Sequence, residues 1–409
     1  MAQARGLHVV ESLKAIQSRE LPGTWRDKRK GWGHAFHKLA PFVGGFPPRM
    51  ANFFVRAFTT PGEVVLDPFS GGGTAPLEAC VTGRVGWGLD AFPYAYVLTR
   101  AKVEPVSAQT AWRAFNALEK EAAAIERVDL DEEDVRAFYH PDTLSQLLRF
   151  RAALARRPDS PTFNFLRAVF CAILHGPSKM FLSWPMKETC SSTVGYIRRY
   201  FREHQVRPKR KNVRACFATK MDRTFVDGLP RTRGRAWLGD ARELPVPDAS
   251  VDFVLTSPPY MRVLDYTWNN WLRIWFLGLD RRSCREKLVL TSSEPRWREF
   301  MAACLAEVHR VLKEGRACVI VVGDVKKGSR VVNSASILAE LALEVGLRPA
   351  CVINDGYATR NRAMLVYNDL KYDSFDRDRD RHKLATPVDR CLVLEKGTCA
   401  AVRRLLRGV

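Results

Sequence analysis

EVVLDPFSGGGTAPLEACVTGRVGWGLD, residues 63–90, reads as strand, turn, helix and strand. The apolar run EVVLD (63–67) ends on Asp67, three glycines follow at 71–73, TAPLEACVTG (74–83) has helical composition, and VGWGLD (85–90) ends on Asp90. That order is a βαβ unit, the start of a parallel sheet. Gly71, Gly72 and Gly73 tolerate positive φ and carry no Cβ, so a ligand can approach the backbone where a side chain would collide. The turn lacks Gly-x-Gly-x-x-Gly spacing and no Gly-Lys-Ser/Thr follows, which disfavours a dinucleotide or a nucleoside triphosphate. Asp90 stands 18 residues beyond Gly72, close to the roughly 20-residue offset at which a strand-end carboxylate takes both ribose hydroxyls. A glycine turn can also simply join a strand to a helix; its pairing with Asp90 favours a ribose-bearing ligand.

Around this unit the chain runs to 409 residues, 46% hydrophobic, with 65 Lys and Arg against 44 Asp and Glu, a formal charge of +21. The size allows a substantial core, and the charge favours a polyanionic partner, nucleic acid before membrane. No apolar run approaches the roughly 18 residues that span a bilayer, and the first residues are too charged for a signal peptide, so a cytoplasmic, nucleoid-associated protein is expected. Ten cysteines without a Cys-x-x-Cys pair predict neither a zinc knuckle nor a disulfide framework, and no metal site is expected.

The strand and helix rhythm of residues 1–105 gives way at 106–235 to helical patterns such as AWRAFNALEKEAAAIERV and TLSQLLRFRAALARR. It resumes at 236–409 with SVDFVLTS, the helix RWREFMAACLAEVHRVL (296–312) and the strand ACVIVVGDV (317–325). One α/β sheet, mostly parallel with helices on both faces, is predicted, with 106–235 inserted as a helical, basic segment. In a doubly wound sheet the carboxyl ends of neighbouring strands converge on one crevice, so Asp67, Asp90, Asp240 and Ser257 are expected to share a site.

DPFSGGGT, GLD, GDARELP and TSPPY together resemble the motifs of the S-adenosylmethionine-dependent amino-methyltransferases of DNA, the cytosine-N4/adenine-N6 group. HAFHKLAPFVGGFPPRMANFFV (34–55) is similar to the segment that contacts the methionine end of the cofactor in that group, and LDYTWNNWLRIWFLG (264–278) to the helix after its catalytic loop. The resemblance implies a Rossmann-like methyltransferase fold and S-adenosyl-L-methionine as cofactor. It assigns Asp67 and the turn Gly71, Gly72 and Gly73 to the methionine end, with Phe46 and Phe69 lining the same pocket, Pro68 shaping the turn and Thr74 among the cofactor-binding residues. Asp90 would take the ribose, and Asp240, beside Ala241, the adenine amine. Where the family more often shows Gly-Ser-Gly, this chain has Gly71-Gly72-Gly73, which loses a hydroxyl and keeps the turn.

Ser257-Pro258-Pro259-Tyr260 ends the strand SVDFVLTS in a way that suits amine methylation. An exocyclic amine becomes nucleophilic when acceptors pull its lone pair out of conjugation with the ring. The Ser257 hydroxyl and the Pro258 carbonyl can be those acceptors, and the prolines lack N–H groups and fix φ so that the carbonyl stays aimed. Tyr260 can stack on a base flipped out of the duplex. No Pro-Cys dipeptide is present, against a covalent carbon-5 mechanism. Within the resemblance, Ser rather than Asp at 257 leans toward N4-methylcytosine; adenine N6 remains the alternative. RNA also stays open, since tRNA guanine-N2 enzymes of this fold carry a similar loop. An inactive nucleic-acid-binding module is disfavoured because every motif residue is present.

Double-stranded DNA is the expected partner, and a restriction endonuclease acting on the same site fits the likeness. Arg198, Arg199, Arg207, Lys209, Arg210 and Lys211, with Tyr196, Tyr200 and Phe201 among them, form a basic stretch expected to meet phosphates. A solvated helix face is the plainer reading. Target-recognition elements in the family are inserted segments, which makes 106–235 the candidate. Trp268, Trp271 and Trp275, at helical spacing, are expected to pack against the sheet, with a direct role in stacking the target base as the lesser reading. His34 and His37 are expected in the cofactor pocket or the framework, and Arg360, Asn361 and Arg362 near DNA.

Overall fold

The structure, a computed structural model, describes residues 33–42, 44–45, 47–186, 193–261, 265–327, 330–356 and 388–407, together with the strand β1 (Val9–Val10). Phe46, Arg360, Asn361 and Arg362 lie outside the described residues.

Strands β2 (Val64–Asp67), β3 (Val85–Asp90), β4 (Arg235–Leu238), β5 (Val251–Thr256) and β6 (Leu312–Gly323) form the parallel part of one sheet. A hairpin of β7 (Val325–Lys327) and β8 (Arg330–Val332) precedes β9 (Arg348–Gly356) and β10 (Val388–Lys396). The sheet order is β1-β9-β10-β6-β5-β2-β3-β4, and β10 runs antiparallel to both neighbours. From β2 the chain moves outward through β3 to β4, then returns to β5 on the other side. The order therefore reverses between β2 and β5, and such a switch point opens a crevice at the strands' carboxyl ends.

Strand periodicity explains the two-faced core. Val65, Phe253, Leu255 and Val319 point to one face, covered by α1 (Pro48–Phe58), while Leu66, Val254 and Ile320 point to the other. Both faces are buried, which is why β5 reads as an unbroken buried run without polar alternation. On the first face Phe58 stacks flat on Phe253 with ring centroids 4.9 Å apart.

Helix α2 (Thr74–Val81) follows the glycine turn, and α3 (Pro93–Val103) packs along β3 and β4. The interrupted region folds as α4 (Ala108–Ala123), α5 (Pro141–Ala155), α6 (Pro161–Ile173), α7 (Val194–Glu203) and α8 (Val213–Phe225), with no strand among its described residues. Each of these helices starts at a side chain that accepts a backbone N–H: Ser107, His140, Ser160, Thr193 and Asn212. Their apolar faces share one cluster with Phe36, Leu77, Phe92 and Tyr94 of the sheet-bearing part. Within it Phe115 stacks on Phe217 at 4.0 Å.

After β5 come α9 (Tyr266–Asn269), α10 (Trp271–Phe276) and α11 (Arg281–Glu286), then α12 (Glu294–Val311) and α13 (Ser334–Glu344) over the second face. The chain closes on α14 (Ala400–Arg407), beside α1. The tryptophan stripe splits, because the chain breaks its helix at Asn270 between α9 and α10. Contrary to the expectation that all three pack against the sheet, Trp271 and Trp275, 9% and 6% exposed, pack into the helical layer, and Trp268 is 43% exposed. The nine cysteines among the described residues are buried and form no disulfide with one another.

Candidate functional site

At the switch point a cavity open to solvent is lined from several chain segments. The glycine turn and the end of β2 supply Asp67, Pro68, Phe69, Ser70, Gly71, Gly72 and Thr74. The ends of β3 and β4 add Asp90, Ala91, Phe92, Asp240 and Ala241; the loop after β5 adds Ser257 and Pro259. Phe42, Gly44 and Gly45 close one side, and Tyr266, Phe300 and residues 287–290 the other. Gly73, Pro258 and Tyr260 do not form part of this wall, although each adjoins a residue that does.

The turn needs its glycines. Gly71 has φ +50°, and a Cβ there would stand 2.9 Å from Phe42 Cε1; Gly73, the N-cap of α2, has φ +74° and a Cβ position 3.0 Å from the backbone of Thr99. Beneath the turn, the buried Lys102 ammonium donates to the Gly72 carbonyl. Burial, with the charge of Lys220 adding, pushes the Lys102 pKa down to about 7.

The carboxylates are held by dipoles. Asp67 Oδ1 accepts from Thr256 Oγ1 at 2.6 Å and from the Phe69 N–H at 3.0 Å, which joins the end of β5 to the end of β2. Asp90 accepts from the Gly71 N–H at 2.8 Å and the Phe92 N–H at 2.9 Å, which ties β3 to the turn. Burial raises the pKa of Asp67 to about 7 and that of Asp90 to about 6 despite these bonds, and no cation is among the groups that shift them. At the opposite end of the sheet, buried Asp252 is paired with Lys313 at 2.8 Å and Arg316 at 3.0 Å. Asp67 is buried and Asp90 half-buried, and neither has a cation in ion-pair range among the described residues, which favours a ligand that brings donors or positive charge. Asp240 is different: the Arg242 guanidinium forks onto both its oxygens, holding its pKa below the usual carboxylate range.

The loop after β5 is braced from α12. Trp297, 1% exposed, donates its indole N–H to the Pro259 carbonyl at 2.8 Å. The Ser257 hydroxyl lies 3.4 Å from the Tyr260 hydroxyl.

No family model matches the chain. Similarity to known proteins is short or distant. The type II methyltransferase M.MjaII of Methanocaldococcus jannaschii is 26% identical over 73 residues, a stretch that covers 18% of this chain and 14% of that protein. A DNA modification methylase structure from Thermus thermophilus, complexed with S-adenosyl-L-methionine, is 22% identical over 39% of this chain and 51% of its own, with a TM-score of 0.24. TrmN from the same organism is 15% identical over 88% of this chain and 52% of its own, with a TM-score of 0.32. The α/β architecture rests on the strand order itself.

Sequence reasoning found both motif segments but missed Phe42, Tyr266, Phe300, Lys102 and Trp297. Phe42 and Tyr266 fall inside segments whose resemblance was noted, whereas Trp297 reaches its partner from 38 residues away and leaves no local signal. His34 and His37 belong to the framework. His34 caps a short 3₁₀ turn, and His37 pairs with Glu78 at 2.5 Å in the interior.

The basic stretch is partly neutralised by the insertion's own acids. Arg198 pairs with Asp134 and Arg210 with Asp142, each at 3.3 Å; Lys211 Nζ donates to the Lys179 carbonyl at 3.0 Å. Arg199 lies 5.9 Å from the Tyr196 ring centroid, and Arg207 and Lys209 are exposed.

Proposed function

We propose that this chain is an S-adenosylmethionine-dependent methyltransferase that modifies an exocyclic amine of a DNA base, cytosine N4 before adenine N6. The observation that carries the reading is one cavity lined together by the glycine turn, by Asp67 and Asp90, and by Ser257 and Pro259 of the loop after β5. The residues fit the cofactor. Phe42 stands where Cβ atoms at Gly71 and Gly72 would lie, so the glycines let its ring pack on the turn as part of the cavity lining, and the desolvated carboxylates suit hydroxyl and amine donors.

S-adenosylmethionine supplies, when bound, an electrophilic methyl on a sulfonium. Asp90 takes ribose hydroxyls, Asp67 and Gly71–Gly73 hold the methionine end, and Asp240, oriented by Arg242, receives the adenine amine beside Ala241 and Phe300. The Ser257 hydroxyl and the Pro258 carbonyl accept from the target amine and draw its lone pair out of the ring. Trp297 occupies the Pro259 carbonyl, so the competing acceptor of the loop is already satisfied. Tyr260 serves as the stacking surface for the extruded base. The side chain at 257 is a neutral hydroxyl, which supports cytosine over adenine within the resemblance.

The test is expression in a bacterial strain free of DNA methylation, followed by single-molecule sequencing that distinguishes modified bases. N4-methylcytosine within one short motif is expected. N6-methyladenine would keep the mechanism and replace the base. An unmodified genome, with purified protein that binds S-adenosylmethionine and methylates transfer RNA, would overturn DNA as substrate.

A further inference from the structure

Beside the cavity lies a second concavity, lined by Asp265, Thr267, Trp268, Arg281, Arg282 and Arg285. Tyr266 lines the first cavity and its sequence neighbours line the second; Lys287 of the first is two residues beyond Arg285 of the second. The same two chain segments, around α9 and from Arg281 to Leu290, therefore contribute to both concavities and make up a rim.

Chemistry sets this rim apart. Trp268 is among the few large apolar side chains left exposed, and the Arg281 guanidinium lies 5.1 Å from its ring centroid. Arg282 pairs with Glu286 and Arg285 with Asp265. Arg281 and Lys287 are exposed and have no carboxylate in ion-pair range among the described residues. An exposed indole beside the Arg281 guanidinium is a sequence-tolerant platform for a nucleobase and its phosphates.

We propose that this rim holds the DNA strand beside the reacting nucleotide, with a neighbouring base stacked on Trp268 and phosphates against Arg281 and Lys287. The inference rests on the amino-methyl-transfer reading above. Extrusion of one base separates it from its stacked neighbours, so an aromatic surface at the cavity mouth restores part of the lost stacking. The cations at 198 and 210 already have carboxylate partners, as do Arg282 and Arg285; Arg281 and Lys287 are available to phosphate.

The experiment titrates the full chain against a dye-labelled DNA duplex with one mismatched cytosine, read by fluorescence anisotropy at several salt concentrations. Trp268→Ala is expected to lose on the order of tenfold in DNA affinity, with Trp268→Phe retaining most of it. Arg281→Ala with Lys287→Ala should lower the slope of log affinity against log salt by about two. S-adenosylmethionine affinity, by calorimetry, should be unchanged in Trp268→Ala and Arg281→Ala. Undiminished DNA affinity in these variants, while wild-type protein methylates the same duplex, would remove the rim and leave the reaction standing. Wild-type protein that binds S-adenosylmethionine but neither binds nor methylates the duplex, or that prefers a transfer RNA, would overturn both.

Discussion

Asp90 and Asp67 are carboxylates whose folded pKa values, about 6 and about 7, lie above the ordinary 3.8. Between these values the cofactor-free folded chain holds protons that the unfolded chain has released, so its stability falls as pH rises through that window and levels off above it. Donors from a ligand favour the ionised forms and act in the opposite direction. Calorimetric S-adenosylmethionine affinity is therefore expected to rise from pH 5 to about 7 and then flatten; Asp90→Asn should bind more weakly and lose the lower part of that rise. Trp297→Phe keeps most of the packing but frees the Pro259 carbonyl. It should lower kcat about tenfold with little change in cofactor affinity, at a stability cost of about 1 kcal/mol. Equal losses in cofactor affinity and kcat would reduce Trp297 to a packing residue.

Among the elements, the glycine turn shows how tightly backbone and ligand space are coupled. Gly73→Ala must adopt φ +74° and press on the Thr99 backbone, and it is expected to destabilise the fold by about 1–2 kcal/mol, measured by urea unfolding. Gly71→Ala meets the Phe42 ring as well, so it should also weaken cofactor binding. The βαβ unit was legible because strands, turn and helix follow one another within residues 63–90. The α9–α10 break was not: Trp268, Trp271 and Trp275 keep helical spacing across Asn270, and only the tertiary packing of Trp271 and Trp275 turns Trp268 outward.

For the whole molecule, the inserted helices are part of the interior. Phe115, Phe150, Phe170 and Phe217 share a cluster with Phe92 and Tyr94, so excision of 106–235 uncovers apolar surface beside β3 and is expected to yield aggregated protein. Phe217→Ala, at a fully buried position stacked on Phe115, should cost about 3–5 kcal/mol and lower Tm markedly. The sequence by itself determined the βαβ unit of 63–90, the strands that lead to Asp240 and Ser257, the helix and strand of 296–325 and the glycine turn, because each is written in local periodicity and turn chemistry. Only the tertiary structure decided which cations keep their charge, which carboxylates lack a counter-cation and which indole braces the loop. Those properties depend on partners brought from distant chain positions, as with Trp297 at Pro259 and Asp134 at Arg198.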